Sequence, residues 1–321
     1  MELLIIGYSN LFKSRILPLI DALDFVEKVT IAKFSEQPWD DTYLKIKKPV
    51  QLYDDFDSAL NEFKGDLAYI STTNHSHYVW AKKALENGLN TIVDKPATLN
   101  LKETEELIEI AKSKNLLLSE STVYLYHPQM KLLKNFFEDN ALIPKHITFL
   151  FSFPPLNSDN FRYIKVLGGG ALLDTGSYIA SISRFIFNEV PQECYLLNNT
   201  MSETGVEISY SVLLKFKDGK SLIGHSGFTT EYVNRINILG KDLCVDIDRI
   251  FTLPDNVENT IKIRSKNQSI DRLAPAGNMF KEYLFFIDEC IKSKSYQSLY
   301  TDMLMDAQTR NLLNISSEYG N

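Results

Sequence analysis

The chain has 321 residues, 44% of them hydrophobic, and a formal net charge of −7, which is material for two domains with sizeable cores. Acidic and basic residues are mixed without a long basic run, arguing against nucleic acid as a partner, and no stretch approaches the roughly 20 apolar residues of a membrane helix. The apolar start, Met1 to Gly7, is too short for a signal peptide, and three widely spaced cysteines, Cys194, Cys244 and Cys290, point to a reducing, cytoplasmic setting without a disulfide framework or a zinc site.

In chain order, the first part alternates short apolar runs with helical patterns. Leu3 to Ile6 reads as a buried strand, and Leu11 to Leu23 as a helix with Leu11, Ile16, Leu19, Ile20 and Leu23 near one face. Val29 to Phe34 is a second strand and Val50 to Tyr53 a third, followed by a helix from Phe56 to Phe63. Leu67 to Ser71 is a fourth strand, and His77 to Glu86 a helix closed by Gly88. Thr91 to Asp94 is a fifth strand. Asn100 and Glu103 form a variant capping box that opens a helix to about Ser113, before a sixth strand from Leu116 to Ser119. Such alternation predicts a doubly wound parallel sheet over residues 1–120.

Beyond residue 120 the pattern changes. A helix from Pro128 to Phe137 leads into longer strands at Ile147 to Phe153, Val206 to Phe216 and Ser221 to Gly227, the last two joined at Asp218-Gly219 as a hairpin. Asn234 to Leu239 and Leu243 to Ile247 form another pair, with Ile261 to Arg264 as a further strand. Helices are expected at Ala171 to Phe187, Met279 to Ile291 and Asp302 to Ser316. Residues 121–321 therefore read as an α+β domain with a mostly antiparallel, open-faced sheet and helices.

Four segments carry chemistry. The first strand runs into Gly7-Tyr8-Ser9-Asn10-Leu11-Phe12, where a dinucleotide fold places its glycine turn against pyrophosphate. Only the first glycine is present, so the segment also reads as an ordinary strand-to-helix turn. The end of the second strand, Ala32-Lys33-Phe34-Ser35-Glu36, selects between cofactors. Lys33 and Ser35 favour NADP, and Glu36 leaves NAD open. Ser71, Thr72 and Thr73, with His75 and His77 behind them, end a strand at the ligand-binding edge. The histidines serve there either as ligand contacts or as helix caps. Asp94-Lys95-Pro96 ends the fifth strand at the same edge, where an ammonium group favours a nearby alkoxide. In the second half, Gly168-Gly169-Gly170 precedes Asp174 and Tyr178. These two share a helix face, and a tyrosine so placed can exchange a proton with a ketone or alcohol. The alternative is a core tyrosine beside a capping aspartate.

Taken together, these segments resemble the Gfo/Idh/MocA family of oxidoreductases. The resemblance runs from Leu3 to about Pro191, through the Gly7 turn, HSHYVWAKKALENGLNTIVDKP (His75 to Pro96), YHPQ (Tyr126 to Gln129) and GGGALLDTGSY (Gly168 to Tyr178). Asp94 stands where the family usually has glutamate, and Tyr178 where many members have histidine. The latter resembles the branch holding glucose–fructose oxidoreductase, dihydrodiol dehydrogenases and sugar-nucleotide ketoreductases. Phe12 replaces a small residue, and Leu125 a frequent arginine. The resemblance implies an N-terminal Rossmann domain binding NADP or NAD through Gly7, Ser9, Asn10, Leu11, Lys33, Ser35, Ser71, Thr72, Thr73, His77, Asp94 and Lys95. It implies Lys95 and Tyr178 as the catalytic pair, Asp174 orienting substrate, and no metal. The expected reaction is hydride transfer between nicotinamide and a secondary alcohol or ketone of a sugar or sugar nucleotide. A cyclic diol as substrate, or a non-enzymatic nucleotide or sugar sensor, is the alternative. A homodimer or homotetramer through the C-terminal sheet is expected as well.

Overall fold

The computed structural model describes residues 1–266 and 268–319. Among them the chain divides into two compact units. Met1–Ser121 with Phe280–Leu304 forms one, and Thr122–Met279 with the segment from Met305 onward forms the other.

The first unit holds β1 (Glu2–Ile6), β2 (Lys28–Ala32), β3 (Val50–Tyr53), α1 (Phe56–Glu62), β4 (Leu67–Ile70), α2 (His77–Glu86), β5 (Asn90–Val93), α3 (Leu101–Lys114) and β6 (Leu118–Glu120). The strands form one parallel sheet in the order β3-β2-β1-β4-β5-β6. Parallel strands covered on both faces need continuous apolar runs; Leu3 to Ile6 and Leu67 to Ile70 are buried throughout. Strand order reverses between β1 and β4, and open α/β sheets bind their ligands at such a switch point. The helix starts follow from local chemistry. Asp55 caps α1 by accepting from Ser58 N–H at 2.7 Å. Asn100 caps α3 through Glu103 N–H at 3.0 Å, while Glu103 reaches back to Leu99 N–H at 3.1 Å. The segment 280–304 adds Tyr283, whose hydroxyl donates to Ser119 at 2.8 Å, and Phe285, edge-on to Phe25 with centroids 5.6 Å apart.

One element departs from expectation. The helix predicted over Leu11 to Leu23 is a π-helical turn at Phe12–Ile16 followed by a 3₁₀ turn at Leu17–Ala22. Pro18 lacks an N–H and its ring crowds the preceding turn, so a regular ladder cannot run through it. The widened turn instead bonds Leu17 N–H to the Phe12 carbonyl, and Phe12 itself is fully buried.

The second unit holds α4 (Pro128–Asp139), β7 (Pro144–Ser152), α5 (Ala171–Phe187), β8 (Glu193–Met201), β9 (Glu207–Lys215), β10 (Ser221–Gly227), β11 (Val233–Gly240), β12 (Leu243–Asp248), β13 (Asn259–Ser265), β14 (Gln268–Ser269) and β15 (Arg272–Ala274). The chain then forms α6 (Met279–Ser293) and α7 (Gln297–Tyr319). The strands form a sheet in the order β14-β13-β12-β11-β7-β10-β9-β8, with β15 beside β13. All pairs are antiparallel except β7 with β10. Helix α5 packs on β7, β9 and β10. Phe149, Val212, Leu214 and Leu222 are buried in this unit, each such side chain contributing about 1.5–3 kcal/mol. Arg184 of α5 and Asp306 of α7 are both buried and paired through two bonds of 2.8 and 3.0 Å. Strand β8 was not anticipated, because of its nine residues only Leu196 is buried. Among the described residues no helix is long and apolar enough to cross a membrane.

Candidate active site

The first unit brings most of the predicted residues to one sheet edge. Gly7 follows β1 with φ +111°, and a Cβ there would lie 2.1 Å from the Ser71 carbonyl oxygen. Only glycine tolerates both the dihedral and the approach. Ser9 accepts from Phe12 N–H at 3.0 Å, so its hydroxyl caps the turn. The same oxygen lies 2.7 Å from Ser71 Oγ, and Ser71 donates to Asp94 Oδ2 at 2.6 Å. A hydroxyl has one proton to give, so the direction runs from Ser9 to Ser71 to Asp94. Asn10 and Leu11 stand exposed at the helix start, within the first turn, whose amides lack intrahelical acceptors. A turn of this shape, with exposed helix-start amides, fits a dinucleotide pyrophosphate.

Asp94 is a hub. Its Oδ1 accepts from Tyr69 at 2.7 Å and from Ser121 at 3.1 Å. Burial, then the charge of Asp94, raises the Tyr69 pKa well above its ordinary value, so this phenol stays a donor. Lys95 follows, half-buried, with a cis bond to Pro96. Two further groups hold the segment. Glu120, at the end of β6, accepts from Ala97 N–H at 2.9 Å. His77 is buried, with Nδ1 2.8 Å from the Pro96 carbonyl and Nε2 3.1 Å from the Thr72 carbonyl. Its ring thus tethers two loops. Thr72 and Thr73 are half-buried, and Ser76 donates to Thr72 Oγ1 at 2.8 Å. Glu120 was missed in the sequence; as a carboxylate closing an apolar strand, it was the available signal.

At the end of β2, Ser35 is exposed, whereas Lys33 is buried and ion-paired to Asp54 at 2.5 Å. The loop beyond also folds back on the glycine turn. Gln37 donates to the Tyr8 carbonyl at 2.8 Å, and the Tyr8 hydroxyl donates to Asp40 at 2.6 Å. Burial and that carboxylate push the Tyr8 pKa up to about 12. Lys13, with Thr42 and Tyr8, holds Asp40 well below the usual carboxylate range. None of these contacts was legible in the sequence.

The second unit carries Asp174 and Tyr178 on α5. The glycines ahead of them close a tight loop. A Cβ on Gly169 would lie 2.6 to 2.8 Å from the carbonyl oxygens of Arg162, Ile164 and Phe161. The loop delivers Arg162, missed in the sequence, to Asp174 through two bonds of 2.9 and 3.2 Å. Glu207 of β9 accepts from Leu172 N–H at 3.1 Å, a carboxylate at the positive end of the helix. Burial pushes its pKa up. The Tyr178 ring packs against Phe251, Phe151 and Tyr124, with centroids at 5.0, 5.1 and 5.7 Å. In YHPQ, His127 caps α4 by accepting from Gln129 N–H at 3.1 Å. Gln129 reaches the Ile250 carbonyl at 3.0 Å and Asn259 at 2.8 Å. His127 and Gln129 of that motif thus hold backbone and side-chain groups of their own unit.

A six-stranded parallel sheet with a glycine turn at its switch point defines a dinucleotide-binding fold. Residues 1–122 match the family model described as "Oxidoreductase family, NAD-binding Rossmann fold", and residues 144–244 the "GFO/IDH/MocA C-terminal domain". The chain belongs to the Gfo/Idh/MocA family. It is similar to a dTDP-3,4-didehydro-2,6-dideoxy-alpha-D-glucose 3-reductase of Saccharopolyspora spinosa, 29% identical over 68% of this chain and 66% of that protein, just under two thirds of its length. The Actinomadura kijaniata protein of the same name is 26% identical over 86% of this chain and 83% of its own. The solved structure of KijD10, a 3-ketoreductase from Actinomadura kijaniata in complex with NADP and TDP-benzene, superposes with a TM-score of 0.88 at 21% identity, covering 99% of this chain and 98% of that one.

Proposed function

We propose that this protein reduces a ketone on a nucleotide-linked sugar, or oxidises the corresponding secondary alcohol, with NADP(H) as the favoured cofactor. The observation that carries the reading is the tie between the glycine turn and the strand bearing Lys95, through Ser9, Ser71 and Asp94. One rigid edge then presents both a pyrophosphate cradle and an ammonium group. The names of the relatives, which are sugar-nucleotide reductases, support the substrate class. A neighbouring structure solved with NADP, together with exposed Ser35, supports the cofactor.

When bound, the nicotinamide supplies or accepts the hydride. Gly7 and the amides of Asn10 and Leu11 hold the pyrophosphate, and Ser71, Thr72 and Thr73 line the edge beside it. Lys95 stabilises negative charge on the substrate oxygen, and Tyr178 exchanges the proton with it. Asp174, oriented by Arg162, receives sugar hydroxyls. A second copy of the chain covers the open sheet face as a homodimer or homotetramer. Tyr195, Leu213 and Ile223 lie side by side there on β8, β9 and β10, at 59, 40 and 50% exposure. Three free cysteines support placement in the cytoplasm.

The test is turnover of NADPH against nucleotide-linked keto sugars, free aldoses and cyclic diols. Turnover of the nucleotide-linked ketones is expected, and turnover confined to the diols overturns the substrate class. Tyr178→Phe is expected to lower kcat by about 10²–10⁴-fold with nucleotide affinity unchanged. Near-full activity in that variant removes Tyr178 from the chemistry.

A further inference from the structure

In a nucleotide-binding sheet of this kind, side chains at the end of the second strand face the adenosine ribose. An acid there reads the 2′-hydroxyl, and a cation accommodates a 2′-phosphate. Lys33 is the first residue beyond β2 and Asp54 the first beyond β3. The parallel register, with Ala32 opposite Tyr53, sets them side by side. Lys33 Nζ lies 2.5 Å from Asp54 Oδ1, with the lysine side chain 3% exposed and the aspartate 71%. It also lies 3.4 and 3.5 Å from the carbonyl oxygens of Phe34 and Ser35. An ammonium group has three N–H donors, and these three acceptors occupy them. Trp39 seals the arrangement. Its ring centroid is 5.2 Å from Nζ, and its Nε1–H donates to Asp54 Oδ1 at 2.9 Å.

We propose that Asp54 is a specificity-determining residue for the cofactor. It draws the Lys33 ammonium away from the 2′ position and presents its own exposed carboxylate at that edge. A 2′-phosphate therefore meets an acid where the sequence places a cation. Asp54 restrains the preference for NADP(H), so that NAD(H) remains a competitive ligand. Lys33 has a flexible stem, and with Asp54 neutralised its ammonium is available to the phosphate. This inference rests on the dinucleotide reading of the site.

The experiment is a fluorescence titration of the full-length protein with NADPH and NADH separately, at fixed ionic strength. Wild type, Asp54→Asn, Asp54→Ser and the double variant Lys33→Met/Asp54→Asn are compared. Both single variants are expected to bind NADPH roughly tenfold more tightly, with NADH affinity within about twofold of wild type. The double variant is expected to lose that gain, and added salt to shrink it. An unchanged NADPH to NADH ratio in both single variants overturns the proposal. A gain that survives in the double variant does so too. Failure of the wild type to bind either nucleotide overturns the dinucleotide reading, and this proposal with it.

Discussion

Ser71 donates its hydroxyl to Asp94 Oδ2 at 2.6 Å while standing 2.7 Å from Ser9 Oγ. The serine that replaces the second glycine of the turn thus has its hydroxyl committed inward. It caps a helix start and feeds a carboxylate two strands away. Any phosphate contact from Ser9 falls to its backbone.

Ser71→Ala is expected to lower stability by about 1–3 kcal/mol. The change leaves Ser9 without an acceptor and Asp94 one donor short, in a site where Ser71 is buried. A lowered urea midpoint, with weakened dinucleotide binding, is the expected pair of results. A midpoint equal to that of wild type would show that the chain of hydroxyls carries no stability.

His127 gives a pH dependence with a definite sign. Burial pushes its pKa below the ordinary 6.5, and its Nδ1 must stay unprotonated to accept from Gln129 N–H. The folded state holds the ring neutral, while the unfolded chain takes up a proton below about pH 6.5. This contribution to stability is full above that value and is lost as pH falls toward the native pKa. His127→Asn keeps a capping side chain and removes the titration. Melting temperatures at pH 7.5 and 5.5 are expected to differ less in the variant than in wild type. Equal slopes would assign the acid sensitivity elsewhere.

Ile223→Glu places a charge on the open sheet face, between Leu213 on β9 and Thr148 on β7. Sedimentation is expected to shift from an oligomer to a single chain, with the circular dichroism spectrum retained. A wild-type protein that already sediments as one chain would remove the sheet face from assembly.

The sheet-forming runs were legible because parallel strands buried on two faces carry unbroken apolar stretches, as in Leu3 to Ile6 and Leu67 to Ile70. Capping chemistry was equally local, and Asn100 with Glu103 opens its helix as the sequence predicts. What escaped reading depends on which strands become neighbours. Lys33 and Asp54 meet only because β2 pairs with β3 in one register. Arg162 reaches Asp174 only because Gly169 lets a loop close. Lys33, read as a cation favouring NADP, is buried and paired to Asp54. Charge sign is visible in a sequence, but the partner that cancels it is not. Phe12 looked out of place in the turn, yet it fills the core beneath a turn widened ahead of Pro18.

Given the proposed role of Tyr178 in proton exchange, its aromatic setting bears on the repeated act of turnover. A phenol free to swing must be ordered each time a substrate arrives, and that loss of freedom weakens every encounter. Phe151, Phe251 and Tyr124 pack against this ring as one aromatic cluster, so much of the ordering is completed when the chain folds. That penalty falls once in the lifetime of the molecule, however many substrates pass.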